Sequence, residues 1–168
     1  MKNAMQPVLI LLVLSKPAFA VDTCLVGLWQ MDANDFANAM GAQMGGTASY
    51  ESGSATLEIS EAGAMSLLAQ DLAVAAAMPD VPPMTITISG YSRGDITADD
   101  GATYVANATD YALVGSADVL GTRMDIPLTT ADGAGWGQSS GNYACVDDVL
   151  SFVPNEAGSI PPTWRRVR

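Results

Sequence analysis

Residues 84–89 read MTITIS, and the alternation within them decides the fold class. Met84, Ile86 and Ile88 fall on one side of an extended chain and Thr85, Thr87 and Ser89 on the other. An α-helix would mix these two sets, whereas a strand separates them because its side chains repeat every second residue. The same pattern recurs in ATLEIS at 55–60, with Ala55, Leu57 and Ile59 opposed to Thr56, Glu58 and Ser60. It returns in MDIPL at 124–128, with Met124, Ile126 and Leu128 on one face. Strands with one oily and one wet face belong to antiparallel sheets. Pro127 lies on the wet face and lacks a ladder donor, which predicts an edge or a bulge for its strand.

Turn chemistry separates the alternating runs: EAG at 61–63, ADDG at 98–101, GNY at 141–143 and VDD at 146–148. Glycine, aspartate and asparagine take up the unusual dihedrals that reversals need. About eight strand candidates emerge at the spacing of a sandwich or a barrel. One helix interrupts them, DANDFANAMGAQM at 32–44, with Asp32 as N-cap, a Phe36, Met40, Met44 stripe and Gly45-Gly46 as its stop. Gly41 in its middle weakens it by about 1 kcal/mol relative to alanine. The stretch SLLAQDLAVAAAM at 66–78 is ambiguous by composition, since alanine and leucine favour helix. Its place directly after EAG favours the return strand of a hairpin, and strand is the reading adopted.

The first twenty residues carry Lys2, an apolar run from Val8 to Leu14 and small residues at Ala18 and Ala20. They read as a secretory signal peptide cut after Ala20, leaving 21–168 as a single domain. The run is shorter than the roughly 20 residues that span a bilayer, and no later segment is apolar enough to do so. Lipid modification of Cys24 is the alternative, but VDT before it lacks the small residues of a lipoprotein site. Export to the periplasm or the medium makes the two cysteines, Cys24 and Cys145, a disulfide by default. A redox or nucleophilic thiol would call for a histidine or a C-x-x-C spacing, and the sequence has neither.

Lys2 and Lys16 are the only lysines, so the exported part holds its 18 acidic residues against arginines alone. Such a surface repels nucleic acid and anionic headgroups. With no histidine and two cysteines, histidine triads and the usual zinc sites are excluded. Carboxylate pairs exist at Asp99-Asp100 and Asp147-Asp148, but neighbouring aspartates in turns are ordinarily solvated. GAGWGQSSG at 133–141 has no lysine to serve a phosphate loop. DITADDG at 95–101 misplaces the glycine of a calcium loop and lacks its glutamate. RGD at 93–95 and NAT at 107–109 are short enough to arise by chance. The expectation is therefore a protein that is not an enzyme and holds no cofactor.

GLWQMD at 27–32, the antiparallel strands and the closing TWRRVR at 163–168 together resemble the lipocalin or calycin type of small barrel. The resemblance implies an up-and-down β-barrel of about eight strands, here with one short N-terminal α-helix. It implies that the Gly-x-Trp tryptophan, Trp29, packs against an arginine of the last strand. Alternation places Arg166 on the same face as Trp164, which makes Arg166 the cation–π partner. The helix stands directly after the first tryptophan instead of near the end, a departure from the usual layout. A barrel of this kind is filled with side chains or holds one small hydrophobic ligand; ligand binding is the reading adopted, with the filled barrel as its alternative. In the ligand-binding case Leu57, Ile59, Met84, Ile86, Ile88, Met124, Ile126 and Leu128 line the pocket. In the filled case, loops meet another secreted or envelope protein, as in a protease inhibitor, and Trp136 in the Gly-rich loop is a contact residue. The methionines suit either case, lining an adaptable pocket or filling gaps in a core.

Overall fold

The computed structural model describes residues 21–98, 102–128, 137–155 and 163–167. The signal-peptide reading of 1–20, Asp99-Asp100 and Trp136 lie outside them. In chain order the elements are β1 (Gly27–Met31), α1 (Ala33–Gln43), β2 (Thr47–Ile59), β3 (Ala64–Ala77), β4 (Met84–Ala98) and β5 (Thr103–Val119). There follow β6 (Thr122–Pro127), β7 (Gln138–Val146), β8 (Val149–Pro154) and β9 (Thr163–Arg166).

Every pairing is antiparallel, and eight strands close a ring in the order β1-β2-β3-β4-β5-β7-β8-β9 before β9 returns to β1. The all-β, up-and-down barrel is thus the architecture observed. The remaining strand, β6, stands outside the ring. Along one edge of β5, Thr103–Asn107 pair with β7, while Val114–Val119 pair with β6. Among the described residues β6 pairs with β5 alone, as expected of the strand that carries Pro127.

Strand lengths make the barrel lopsided. β2 to β5 run 13 to 17 residues, whereas β1 and β9 have five and four. β1 therefore pairs only with Gln30↔Thr56 and below, and the upper part of β2 meets α1 instead. Gly41 explains itself here: a Cβ on it would lie 2.5 Å from the Ala48 backbone nitrogen. The helix accepts glycine's cost because its backbone touches the start of β2. Phe36 is buried, and Met40 and Met44 pack against the common core.

Residues 66–78 are strand, as their position after the turn indicates. The Ala-rich run hides a bulge, in which the pairing jumps from Ala69↔Gly90 to Leu72↔Ile88 and Asp71 takes a φ of 47°. Both Ala69 and Leu72 consequently face inward despite their odd spacing.

Asp32 joins three elements. Its Oδ1 accepts from the Asp35 amide at 3.2 Å, capping α1, and its Oδ2 accepts from Arg165 of β9 at 3.1 Å. The bond from the Asp35 amide, with help from Arg165, holds the carboxyl below its ordinary value of 3.8. A depressed carboxyl stabilises the fold above its unfolded value and loses that contribution as pH falls through the folded one. Asp32→Ala is expected to cost about 1 kcal/mol at neutral pH. The difference from wild type should close as urea titrations are repeated at pH values falling below the ordinary carboxylate range.

Candidate functional site

The lower end of the barrel is closed by a clamp built on the chain segment before β1. Trp29 faces inward and is fully buried, opposite Leu57 on β2 and Arg166 on β9. The Arg166 guanidinium lies 4.1 Å from the centre of the Trp29 ring. It donates through Nη1 to the Val26 carbonyl at 2.7 Å and through Nη2 to that of Cys24 at 3.0 Å. Among the described residues these carbonyls have no ladder partner, so one side chain supplies what a strand would. Trp29 Nε1 donates to the Leu25 carbonyl at 2.8 Å, which ties the same segment down from within. Cys24 and Cys145 are joined, with their Cα atoms 6.1 Å apart. Asp22 adds a further tie by accepting from the Tyr143 hydroxyl at 2.7 Å.

The interior above the clamp is packed. Trp29, Trp164, Tyr104 and Phe152 are its largest fully buried side chains, and Tyr104 meets Phe152 edge to face at 4.8 Å. Of the residues expected to line a pocket, Leu57 and Ile59 are 1% exposed, and Ile86 and Ile88 are equally part of the core. Side chains with so little accessible surface border no void that water could enter. Met31 and Met65 are buried among them and act as gap fillers.

The remaining expected lining residues belong elsewhere. Met124 is 51% exposed, which corrects the inward position assigned to it. The reason is topological: Met124, which pairs with Ala117, is on a strand outside the ring, where no facing strand among the described residues covers it. Ile126 and Leu128 are half-buried against Gly115, at whose Cβ position they would stand 3.2 and 3.3 Å away. Met84 sits at the upper rim and borders an open cleft.

Among the described residues, two hydroxyls break the apolar interior without partners. Ser92 of β4 and Tyr111 of β5 are cross-strand neighbours, and neither Ser92 Oγ nor Tyr111 Oη has a hydrogen-bond partner among those residues. Ser92 is 0% exposed, and burial pushes the Tyr111 hydroxyl above its ordinary pKa. Tyr104 is also raised by burial, but its hydroxyl has Ser139 Oγ at 2.8 Å.

The motif-like fragments have structural employment. Arg93 of the RGD tripeptide is in the middle of β4, stacked 4.4 Å over Tyr91 and 3.7 Å from Asp110. Asn107 is on β5 and accepts from Gln138. Asp147 occupies the β7–β8 turn with a φ of 53°, and Asp148 approaches Arg166 at 3.9 Å. Among the described residues no three of the types His, Cys, Asp and Glu gather as a metal site would require.

Sequence reading missed the upper corner formed by the β5–β6 turn. Leu120 is 81% exposed at its tip, next to a cleft of about 540 Å³ bordered by the ends of β2, β3, β4 and β5. The available signal was Asp-x-x-Gly at 118–121 between two alternating runs, which marks a turn. Comparison with family models, with curated proteins and with solved structures yields no match.

Proposed function

We propose that this chain is an exported, non-catalytic barrel that works through its outer surface, as a protein-interaction module. Its partner is then another secreted or envelope protein, as for a protease inhibitor or a structural component. One contrast carries the reading: the barrel interior is filled, while Leu120 is held out in water at a hairpin tip. A large apolar side chain in that place contributes nothing to the core and, at a loop tip, is available to a partner. Export is supported by the leader-like first twenty residues and by the disulfide, which persists in oxidising compartments. No described helix is long and apolar enough to cross a membrane.

A second reading, binding of a small hydrophobic ligand, draws on the unpartnered Ser92 and Tyr111 hydroxyls. A guest with one hydrogen-bonding group would complete them. Stability measurements and native mass spectrometry together separate the two readings. In a filled barrel, Ser92→Ala and Tyr111→Phe remove unsatisfied groups and are neutral, or stabilise by up to about 1 kcal/mol. A loss above about 1 kcal/mol in either variant would mean that the hydroxyl has a hydrogen-bond partner, either a buried water or a guest. Native mass spectrometry of protein isolated from its host is expected to show no stoichiometric small molecule. An apolar guest found at one per chain would overturn the filled-barrel reading.

A further inference from the structure

The turn between β5 and β6 is built against the conformational preference of its own residues. Leu120 and Gly121 both have positive φ, 53° and 80°, the combination of a two-residue hairpin turn normally filled by Asn-Gly. A leucine there is strained by its Cβ and gains no burial in return. The turn is held by Asp118, whose Oδ1 accepts from the Gly121 amide at 2.9 Å. Below the tip, Ser49, Ala75, Thr85 and Asp118 form one cross-strand row across β2, β3, β4 and β5. Ala76 and Val74, the alternate residues of β3, point into the core, so this row lies on the outer face. Its small side chains leave the sheet low, and the resulting cleft has Glu51 and Asp118 on its border with Leu120 above.

We propose, building on the protein-interaction reading, that this corner binds an extended segment of a partner protein that carries a long cationic and an apolar side chain. The cation's methylene stem would lie along Ala75 and Ala77, with its head between Glu51 and Asp118; the apolar side chain would meet Leu120. Charge points the same way. Glu51, Asp118 and the nearby Asp125 outnumber Arg123, which stands across from Asp118 on β6, and the chain as a whole has a formal charge of −11. Arginine and lysine suit a floor of alanines rimmed by carboxylates, because their stems cover apolar surface while their heads stay polar. An acidic segment would meet repulsion at the same place.

The test titrates the intact, disulfide-bonded protein with two synthetic hexapeptides, Ser-Arg-Ser-Leu-Ser-Arg, whose arginines and leucine share one face of an extended chain, and its counterpart with glutamate for arginine, followed by amide NMR shifts. The arginine peptide is expected to give saturable shifts confined to residues 47–51, 75–85 and 118–123, weakened by added salt, and the glutamate peptide none. Glu51→Gln and Asp118→Asn should each weaken binding about fivefold. Leu120→Asn is the sharpest variant: it relaxes the turn, so the urea midpoint should rise while peptide binding falls about fivefold. Equal binding of both peptides, shifts scattered over the surface, or unchanged affinity in Leu120→Asn would overturn the proposal. The Ser92, Tyr111 and native-mass measurements are independent of it. Should the peptides fail while those results favour a filled barrel, only the partner's assigned chemistry falls; a stoichiometric small molecule would remove the interaction reading itself.

Discussion

Replacing Cys24 and Cys145 together by alanine is expected to lower the free energy of unfolding by about 4 to 5 kcal/mol. The bridge spans 121 positions of sequence, and loop-closure entropy of a cross-link grows with the length it closes. Against the roughly 5 to 15 kcal/mol of a typical domain, that removes between about a third and nearly all of the stability. The location supports a large effect, because Cys24 precedes β1 and Cys145 is near the end of β7, with β9 and β8 between them in the ring. The bond therefore fastens the two sides of the barrel's closing seam. A urea titration of the double variant beside oxidised wild type measures the effect, with sucrose added if the variant is unfolded in plain buffer. A loss under about 1 kcal/mol would mean that the clamp residues alone hold the seam.

The seam was also the part of the molecule most legible in the sequence. The cysteines followed from composition and export; the lipocalin-like resemblance implied an arginine of the last strand against Trp29, and counting by twos from Trp164 selected Arg166. The helix was legible from Asp32, because a cap is local chemistry that depends on few tertiary neighbours. Where period-two reasoning failed, the reason is physical. MDIPL at 124–128 alternates as faithfully as MTITIS at 84–89, yet Met124 is half-exposed and Ile86 is core. Alternation separates two faces but carries no information on whether another strand covers one of them. The bulge at Asp71 was hidden by alanines, which carry too little contrast to show a phase shift. Leu120 was illegible for a different reason: local preference argues against leucine in left-handed backbone, and such conflicts between local and global structure collect at functional positions.

Arg166→Ala is expected to be the next most damaging change, at about 2 to 4 kcal/mol. The guanidinium satisfies the carbonyls of Val26 and Cys24 and covers the Trp29 ring. Hydrogen bonds from a charged donor contribute about 1.5 to 3 kcal/mol each, and the ring contact about 0.5 to 2. Partial exposure of the side chain, 30%, keeps the total below their sum. Arg166→Lys should lose about half as much, since an ammonium keeps the charge but cannot fork to two carbonyls. The decisive comparison is with the disulfide. Both devices hold residues 24–26 against the barrel floor, so their losses should not add. With the bridge intact, Arg166→Ala strands two carbonyls in a segment that cannot leave. Without the bridge the segment can swing into water and hydrate them, and the arginine's removal costs less. The triple variant, measured in sucrose beside each parent, should therefore be more stable than additivity predicts by about 1 kcal/mol or more. Strict additivity would show that the arginine and the disulfide secure different parts of the chain.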